Sequence, residues 1–346
     1  MASPTYSASR PTPTRGATAL AAGHKRLQVD IRDLDPDDFP DVEAWLSAPP
    51  CPTYCASGKR SGLKDYRTVL DGAVQLGDSQ AGLGERDAYA AAYGRVSDRR
   101  TALVLETLRF AFRLPNVRWI VAEQVPAVQG IWEEIGAELA AAHDFESCNV
   151  VTLGADDFGA ATRRTRVFLI ATREHTPDLA SLPTRGRWSC GRYESPRWHE
   201  ANASTPFPKT SMAQALDWPT GIRINTRGDR RTSGGNEFSA DGPAHSMTGN
   251  GLRGWYRTDL GKPDGLITPA QAGILQGFPA DYPWQGSRSS RFQRIADTVS
   301  PMVGAAAIGT AAGIPWQDAV RRRIQDLYGH RGETPRAWQQ LTLDGQ

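Results

Sequence analysis

The stretch Arg-Trp-Ile-Val-Ala-Glu-Gln-Val-Pro-Ala-Val, residues 118–128, decides the fold that we predict for this chain. Its largely apolar residues 119–122 predict a buried strand, and Glu123 follows that strand directly. A carboxylate at the end of a buried strand is unfavourable unless it has a partner or a role. Glu123 is therefore either the ion-pair partner of a nearby arginine or an acid that hydrogen-bonds to a ring nitrogen.

On both sides of this stretch, strand patterns alternate with helix patterns. Apolar residues recur at helical spacing over residues 99–112 and 131–143, which predicts two helices. Short runs of apolar residues predict strands at residues 24–31, 42–48, 149–153 and 167–171. The alternation over residues 17–173 is typical of an α/β protein with a doubly wound sheet.

The rest of the chain differs in composition. Residues 1–16 are rich in Ser, Thr, Pro and Arg and contain no acidic residue, which predicts disorder up to a helix end at residues 17–23. Residues 174–262 are rich in Pro, Trp, Arg and Gly and show weak periodicity, which indicates a smaller, irregular second domain. Helical patterns then return, so we expect residues 263–316 to pack back on the first domain and 317–346 to form a C-terminal tail.

A cysteine held between prolines follows the predicted strand at 42–48, in the sequence Pro-Pro-Cys-Pro-Thr-Tyr-Cys of residues 49–55. Prolines restrict the backbone, so the sulfur of Cys51 would be presented from a stiff turn, where a thiol can act as a nucleophile. The alternatives are a buried structural cysteine and a metal site shared with Cys55. No second cluster completes a metal site, and the four cysteines of the chain are too few for a disulfide framework.

Two arginines precede the last strand of this region. Arg164 and Arg166 are two residues apart, so their side chains point to the same side of an extended chain. Two guanidinium groups on one face can bind a carbonyl oxygen and a phosphate. A solvated basic edge is the alternative.

The overall charge does not indicate a particular partner, because the net charge is only +2. Nearly all of the 40 basic residues are arginines, which either GC-rich coding or the recognition of phosphates and base edges explains. The sequence shows no apolar stretch of the roughly 20 residues that cross a bilayer and no signal peptide. We therefore expect a cytoplasmic protein.

Several motifs, in their order along the chain, resemble those of the DNA cytosine-5 methyltransferases over residues 17–314. They include the nucleophile motif at Pro49–Gly58, the acid motif at Glu123–Val125 and the arginine motif with its strand at 158–171. Two further motifs, LITPAQAGILQGFPADY at 266–282 and RIADTVSPMVGAAAIG at 294–309, are similar to the later motifs of the family. The particular residues in these motifs resemble those of a sub-group of the family from high-GC bacteria and their phages.

The resemblance implies a Rossmann-like methyltransferase sheet with a target-recognition domain at residues 174–262. It also implies that S-adenosylmethionine is the cofactor and that double-stranded DNA is the substrate, with a cytosine flipped into the pocket. The implied catalytic residues are Cys51, Glu123, Arg164 and Arg166. The implied cofactor-binding residues are Asp30, Ile31, Pro50 and Asp297. The implied DNA-binding residues are Arg223, Arg227, Arg230 and Arg231. We expect no metal and a monomer. Two alternatives stay open for its context: a cognate restriction endonuclease that forms no stable complex with the chain, and a solitary or phage self-protection role.

The sequence also departs from the family pattern. The family begins with a strand and a Phe-x-Gly-x-Gly loop that receives the cofactor, and neither is present, whereas Asp297 stands where the family has asparagine. Three hypotheses remain open: a methyltransferase that lacks its N-terminal part, one chain of a split enzyme, and a DNA-binding remnant without methyl transfer. An RNA substrate is also possible for this fold, although the sizeable recognition segment favours DNA.

Overall fold

A computed structural model describes residues 13–54, 61–79, 85–142, 145–191, 194–200, 205–227, 237–249 and 254–329. Within them, a six-stranded sheet has the order β1-β2-β4-β3-β5-β6. Its strands are β1 (Ala44–Ser47), β2 (Trp119–Gln124), β3 (Ser147–Gly154), β4 (Thr165–Thr172), β5 (Thr184–Gly191) and β6 (Glu194–His199). The predicted strands at 42–48, 149–153 and 167–171 correspond to β1, β3 and β4.

The sheet is mixed, with mostly antiparallel pairs. Strands β1 and β2 are parallel, and the other neighbouring pairs are antiparallel. Residues 155–164, which join β3 to β4, are too few for the crossover helix that a parallel pair requires. Gly159 reverses the chain there with a φ of 78°, in the left-handed region that favours glycine.

Helices cover both faces of the sheet, as the predicted α/β fold requires. The described helices are α1 (Pro13–Ala21), α2 (Ser61–Lys64), α3 (Tyr66–Ser79), α4 (Glu85–Arg95), α5 (Glu106–Arg113), α6 (Gln129–Ala142), α7 (Met212–Ala215), α8 (Pro269–Leu275), α9 (Arg288–Asp297), α10 (Pro301–Ala312) and α11 (Gln317–Tyr328). In β2, Ile120 and Ala122 join a core with α3, α5 and α6, whereas Val121 joins a second core with α8 to α11. Successive residues of β2 thus enter opposite cores, as expected of a strand that is buried on both faces of the sheet.

The predicted strand at residues 24–31 is wrong. A 3-10 turn, Ile31–Asp33, begins at the end of this segment, and the Asp30 side chain accepts a hydrogen bond from the backbone N–H of Arg32 at its start. Aspartate favours such a cap over an extended strand. Helix α1 begins at Pro13, inside the segment predicted to be disordered, and Gly23 follows the helix with a φ of 83°.

The segment predicted to form the recognition domain contributes to two sheets. Strands β5 and β6 extend the central sheet, because β5 pairs with β3 from Ser147 to Leu153. A separate three-stranded sheet has the order β8-β7-β9, with β7 (Arg223–Asn225), β8 (Glu237–Ser239) and β9 (Tyr256–Arg257). This small sheet lies within the residues predicted to form the second domain, and that division of the chain stays a prediction.

Two C-terminal segments differ from the sequence-based expectations. Helix α11 lies in the predicted tail, yet it packs in the core, where the Tyr328 hydroxyl donates to the carbonyl of Ile274 at 2.8 Å. Residues 288–312 have the length of a membrane span, and an 18-residue window within them reaches the mean hydropathy of one, 1.2. These residues form α9 and α10 with a break at residues 298–300. Their apolar side chains fill the core, and this explains why the segment is so apolar.

Candidate active site

A cavity of about 260 Å³ lies at the carboxyl ends of β1 and β2. Most of the sequence-predicted pocket residues line it together: Asp30, Ile31, Pro50, Cys51, Glu123, Arg164, Arg166 and Asp297. The carboxyl ends of strands are where α/β proteins build ligand sites.

Cys51 is placed by a turn that is fixed to the end of β2. The Gln124 side chain donates to the carbonyl of Pro49 at 2.9 Å, and its own oxygen accepts from the backbone N–H of Val125 at 2.7 Å. On the other side of the cysteine, the backbone N–H of Tyr54 donates to the carbonyl of Cys51 at 3.0 Å. These bonds hold the half-buried thiol beside the carboxylate that ends β2.

Glu123 and Arg166 form an ion pair, with 3.0 Å between Oε1 and Nε. The two residues lie diagonally on neighbouring antiparallel strands, because Glu123 is opposite Phe168 in the register. Burial raises the pKa of the Glu123 carboxyl, and the positive charges of Arg166 and Arg164 oppose this rise. The arginine partner that the sequence analysis named as one alternative is therefore present, and the role of Glu123 as an acid stays a prediction.

Arg164 is buried, with 4% of its surface exposed, and its Nε has no hydrogen-bond partner among the described residues. Burial and, to a smaller extent, the charge of Arg166 lower its pKa to about 10, although Glu123, Cys51 and Asp297 oppose the decrease. The segment before it is fixed, because the N–H of Arg163 donates to the carbonyl of Ala244 at 2.8 Å. A buried donor with hydrogen-bonding capacity left is suited to an acceptor on a bound molecule.

Helix α9 brings a second carboxylate to this end of the cavity. The side chain of Gln276, which follows α8, donates to the carbonyl of Ile295 at 3.0 Å and so fixes the end of α9. Asp297 is the last residue of that helix, and the Gln293 side chain donates to its Oδ1 at 2.8 Å. Gln293 and Asp297 are one turn apart and both line the cavity.

The other end of the cavity combines apolar walls with two carboxylates. Asp30 is paired with Arg32, with 2.7 Å between Oδ2 and Nη2. Glu106 is paired with Arg109 at 2.7 Å, and burial raises its pKa to about 7 against the opposing charge of Arg109. Trp45 stacks on Phe110, and its buried Nε1 has no described hydrogen-bond partner.

Arg109 connects this end of the cavity to helix α5. Its guanidinium donates to the carbonyl of Ile31 at 2.9 Å and to the carbonyl of Leu34 at 3.1 Å. The turn that carries Asp30 and Ile31 is therefore held by a buried ion pair.

Arg223 and Arg227, two of the residues predicted to bind DNA, are not among the residues that line this cavity. Arg223 is on β7 and pairs with Glu237 at 3.0 Å, and Arg227 is exposed after that strand. Arg230 and Arg231 lie outside the described residues, as does Cys55. Among the described residues, no group of three or more His, Cys, Asp or Glu side chains could hold a metal ion.

Among the cavity residues that were not identified from the sequence are Trp45, Glu106 and Gln293. A signal for Glu106 was present, because an acid lies within the apolar face of the helix and Arg109 is three residues later. Trp45 and Gln293 carry no local signal that separates them from ordinary strand and helix residues.

Comparison with solved structures shows that the fold is one that methyltransferases use. The chain is similar to the Entamoeba histolytica methyltransferase EhMeth, with 14% identity, 85% of each chain covered and a TM-score of 0.52. It is similar to Dnmt2 of S. pombe, with 13% identity, 87% of this chain and 89% of that chain covered, and a TM-score of 0.52. For a DNMT2 mutant from Spodoptera frugiperda the identity is 13%, the covered shares are 89% and 91%, and the TM-score is 0.54.

The predicted fold class, a Rossmann-like methyltransferase α/β fold, is thus confirmed. Comparison of the sequence with protein-family models and with curated proteins finds no match.

Proposed function

We propose that this chain transfers a methyl group from S-adenosylmethionine to C5 of cytosine in double-stranded DNA. The observation that carries the proposal is the arrangement around Cys51. A thiol on a fixed turn, a carboxyl paired with the guanidinium of Arg166, and the buried guanidinium of Arg164 line one cavity. A covalent reaction on a base requires a nucleophile, an acid and a carbonyl-binding group, and these residues supply them.

Cys51 is the nucleophile in this proposal. Its thiolate adds to C6 of a cytosine that has been flipped out of the duplex, which makes C5 nucleophilic. Arg164 favours the thiolate, because the positive charge and the thiol interact electrostatically across the cavity. After methyl transfer, loss of the C5 proton restores the C5–C6 double bond and expels the thiolate.

Glu123 binds the edge of the base. Its raised pKa allows it to hold a proton and donate to N3, while its other oxygen accepts from the exocyclic amine. Arg166, which is fixed by Glu123, donates to the cytosine carbonyl. Removal of either partner of this buried pair would leave the other charge uncompensated.

The cavity end formed by Asp30, Ile31, Trp45 and Glu106 fits the adenosine part of the cofactor. The apolar walls suit a planar base, the carboxylates suit an amine and hydroxyl groups, and the buried Trp45 N–H lacks a described acceptor. Pro50 separates this end from Cys51 along the chain. When bound, the cofactor would supply the electrophilic methyl group, and these residues would orient that group toward C5 of the base.

The remaining parts of the proposal concern the DNA partner and the cellular context. Arg223 and Arg227, on the small second sheet, contact phosphates or base edges, with Arg230 and Arg231 as the next basic residues. The reaction takes place in the cytoplasm of a bacterial or phage-infected cell. There the chain acts as a monomer beside, but not bound to, a restriction endonuclease.

The test is 5-methylcytosine in duplex DNA after incubation with purified chain and S-adenosylmethionine. Mass spectrometry of the hydrolysed DNA should detect it with the unaltered chain and with Cys190→Ala, and should not detect it with Cys51→Ala. DNA binding without any 5-methylcytosine would favour the DNA-binding remnant instead.

A second candidate is that an additional strand, carried by a segment outside this sequence, completes the site. Among the described residues β1 pairs only with β2, and Leu46 on β1 is 49% exposed beside the cavity. An open strand edge favours pairing with another strand. This candidate predicts that a separately supplied fragment with the Phe-x-Gly-x-Gly loop binds the chain and raises cofactor affinity, and absence of binding would contradict it.

A further inference from the structure

Asp297 is the cavity carboxylate to which the reaction proposed above gives no chemical role. It ends helix α9 and lines the same cavity as Cys51, Glu123 and Arg164. Its position is defined, because Gln293 donates to Oδ1 at 2.8 Å and Gln276 fixes the end of the helix through Ile295.

The charge of Asp297 acts on the reacting end of the cavity. Burial raises the pKa of Glu123, and Asp297 adds to that rise. Burial lowers the pKa of Arg164, and Asp297 opposes that decrease. The carboxylate is thus close enough to both groups to change the potential in which a bound charge is held.

The two forms of a methyl-donating cofactor differ by one charge at the reacting atom. S-adenosylmethionine carries a positive sulfonium, whereas the product, S-adenosylhomocysteine, carries a neutral thioether. A fixed negative charge in a cavity with few waters stabilises the cation and has little effect on the neutral form. The two forms have the same shape and the same hydrogen-bonding groups away from the sulfur. The contributions of those parts to binding therefore cancel in the ratio of the two affinities.

We propose that Asp297 makes the cavity select the positively charged cofactor over its neutral product. The selection favours product release, since the reaction itself removes the charge that Asp297 attracts. This inference rests on the proposed function, and it assigns to Asp297 a specificity that is independent of the chemical step.

Calorimetric titration of each form in the absence of DNA tests the inference. Asp297→Asn keeps the size of the side chain and removes the charge, and Asp297→Ala removes the whole carboxylate. Both variants should lower the ratio of S-adenosylmethionine to S-adenosylhomocysteine affinity by about tenfold, mainly through weaker binding of the cation. Thermal unfolding of each variant confirms that it is folded before the titration.

A matched control separates the local charge from the net charge of the chain. Asp318, at the start of α11, has a side chain that is 80% exposed and does not line the cavity. Asp318→Asn makes the same change in net charge and should leave the affinity ratio unchanged.

The outcomes are distinct. An unchanged ratio in Asp297→Asn, or a change in that variant but not in Asp297→Ala, would overturn the inference while the proposed function stands. Failure of the unaltered chain to bind either form would overturn the proposed cofactor and the inference with it.

Discussion

The Gln124 side chain donates a hydrogen bond to the carbonyl of Pro49 at 2.9 Å and so joins the ends of the two parallel strands β1 and β2. Cys51 follows the first of these strands and Glu123 ends the second. Gln124, which is 1% exposed, therefore helps to set the relative position of nucleophile and acid.

We expect Gln124→Ala to reduce methyl transfer by about a hundredfold, because small displacements of reacting groups have effects of that size. The free energy of unfolding should fall by about 1–3 kcal/mol, since the variant leaves a buried carbonyl without its donor. Initial rates and urea unfolding measure the two effects. Gln214→Ala, at an exposed position of α7, is the control and should change neither quantity.

The buried guanidinium of Arg164 should increase the reactivity of Cys51. Arg164→Met removes the positive charge, so alkylation of Cys51 by iodoacetamide at pH 7 should slow by about tenfold, because the thiolate is the reactive form. Arg164→Lys keeps the charge and should react within about threefold of the unaltered chain. Peptide mass spectrometry distinguishes Cys51 from the other cysteines, and equal rates in both variants would show that Arg164 does not act on the thiol.

Glu106 should make the stability of the chain depend on pH. Its pKa is raised to about 7 in the folded state, so the folded chain retains this proton at pH values where the unfolded chain has lost it. The resulting stability is fully present below pH 4.5 and decreases as the pH rises through about 7, a change of about 3 kcal/mol.

Glu106→Gln cannot titrate at this position and should remove that part of the pH dependence. Urea unfolding at pH 5 and pH 8 measures it: the variant should gain stability relative to the unaltered chain at the higher pH. Glu174→Gln replaces a carboxylate whose side chain is 57% exposed. The stability of this control should change with pH in the same way as that of the unaltered chain. If the stability of Glu106→Gln depends on pH as that of the unaltered chain does, the prediction is contradicted.

Arg227 should contribute to DNA affinity through phosphate contact. Arg227→Ala should weaken binding to all duplex sequences alike and should lower the slope of log affinity against log salt by about one. Arg321→Ala, at an exposed arginine of α11 that pairs with Asp318, should leave the slope unchanged. Loss of discrimination between sequences at an unchanged slope would instead assign Arg227 to base recognition.

Much of the fold follows from local patterns in the sequence. Residues 119–122 alternate between the two cores, and the helix at 131–143 has apolar residues on related faces, so both elements form where they are predicted. The strand predicted at 24–31 fails because the Asp30 cap overrides the strand pattern. The strands β5 and β6 were not predicted, because nothing in residues 184–199 shows that β5 has the edge of β3 to pair with and β6 the edge of β5.

The candidate site likewise combines residues that the sequence indicates with contacts that it does not. Cys51, Glu123, Arg164 and Arg166 stand out as chemically unusual residues at strand ends, so the sequence indicates them. The bond between Gln124 and Pro49 and the pair of Glu106 with Arg109 depend on side-chain directions across elements. These side-chain directions depend on how the elements pack together, and the local sequence pattern does not specify that packing.

The central claim is that Cys51 forms a covalent bond to the target base. Duplex DNA containing 5-fluorocytosine tests it most directly, because a fluorine at C5 cannot leave as a proton and the enzyme stays bound. With S-adenosylmethionine present, we predict a denaturation-resistant complex whose crosslinked peptide, identified by mass spectrometry, carries the nucleotide on Cys51. A complex that persists in Cys51→Ala, or DNA binding without any covalent complex in the unaltered chain, would contradict the account.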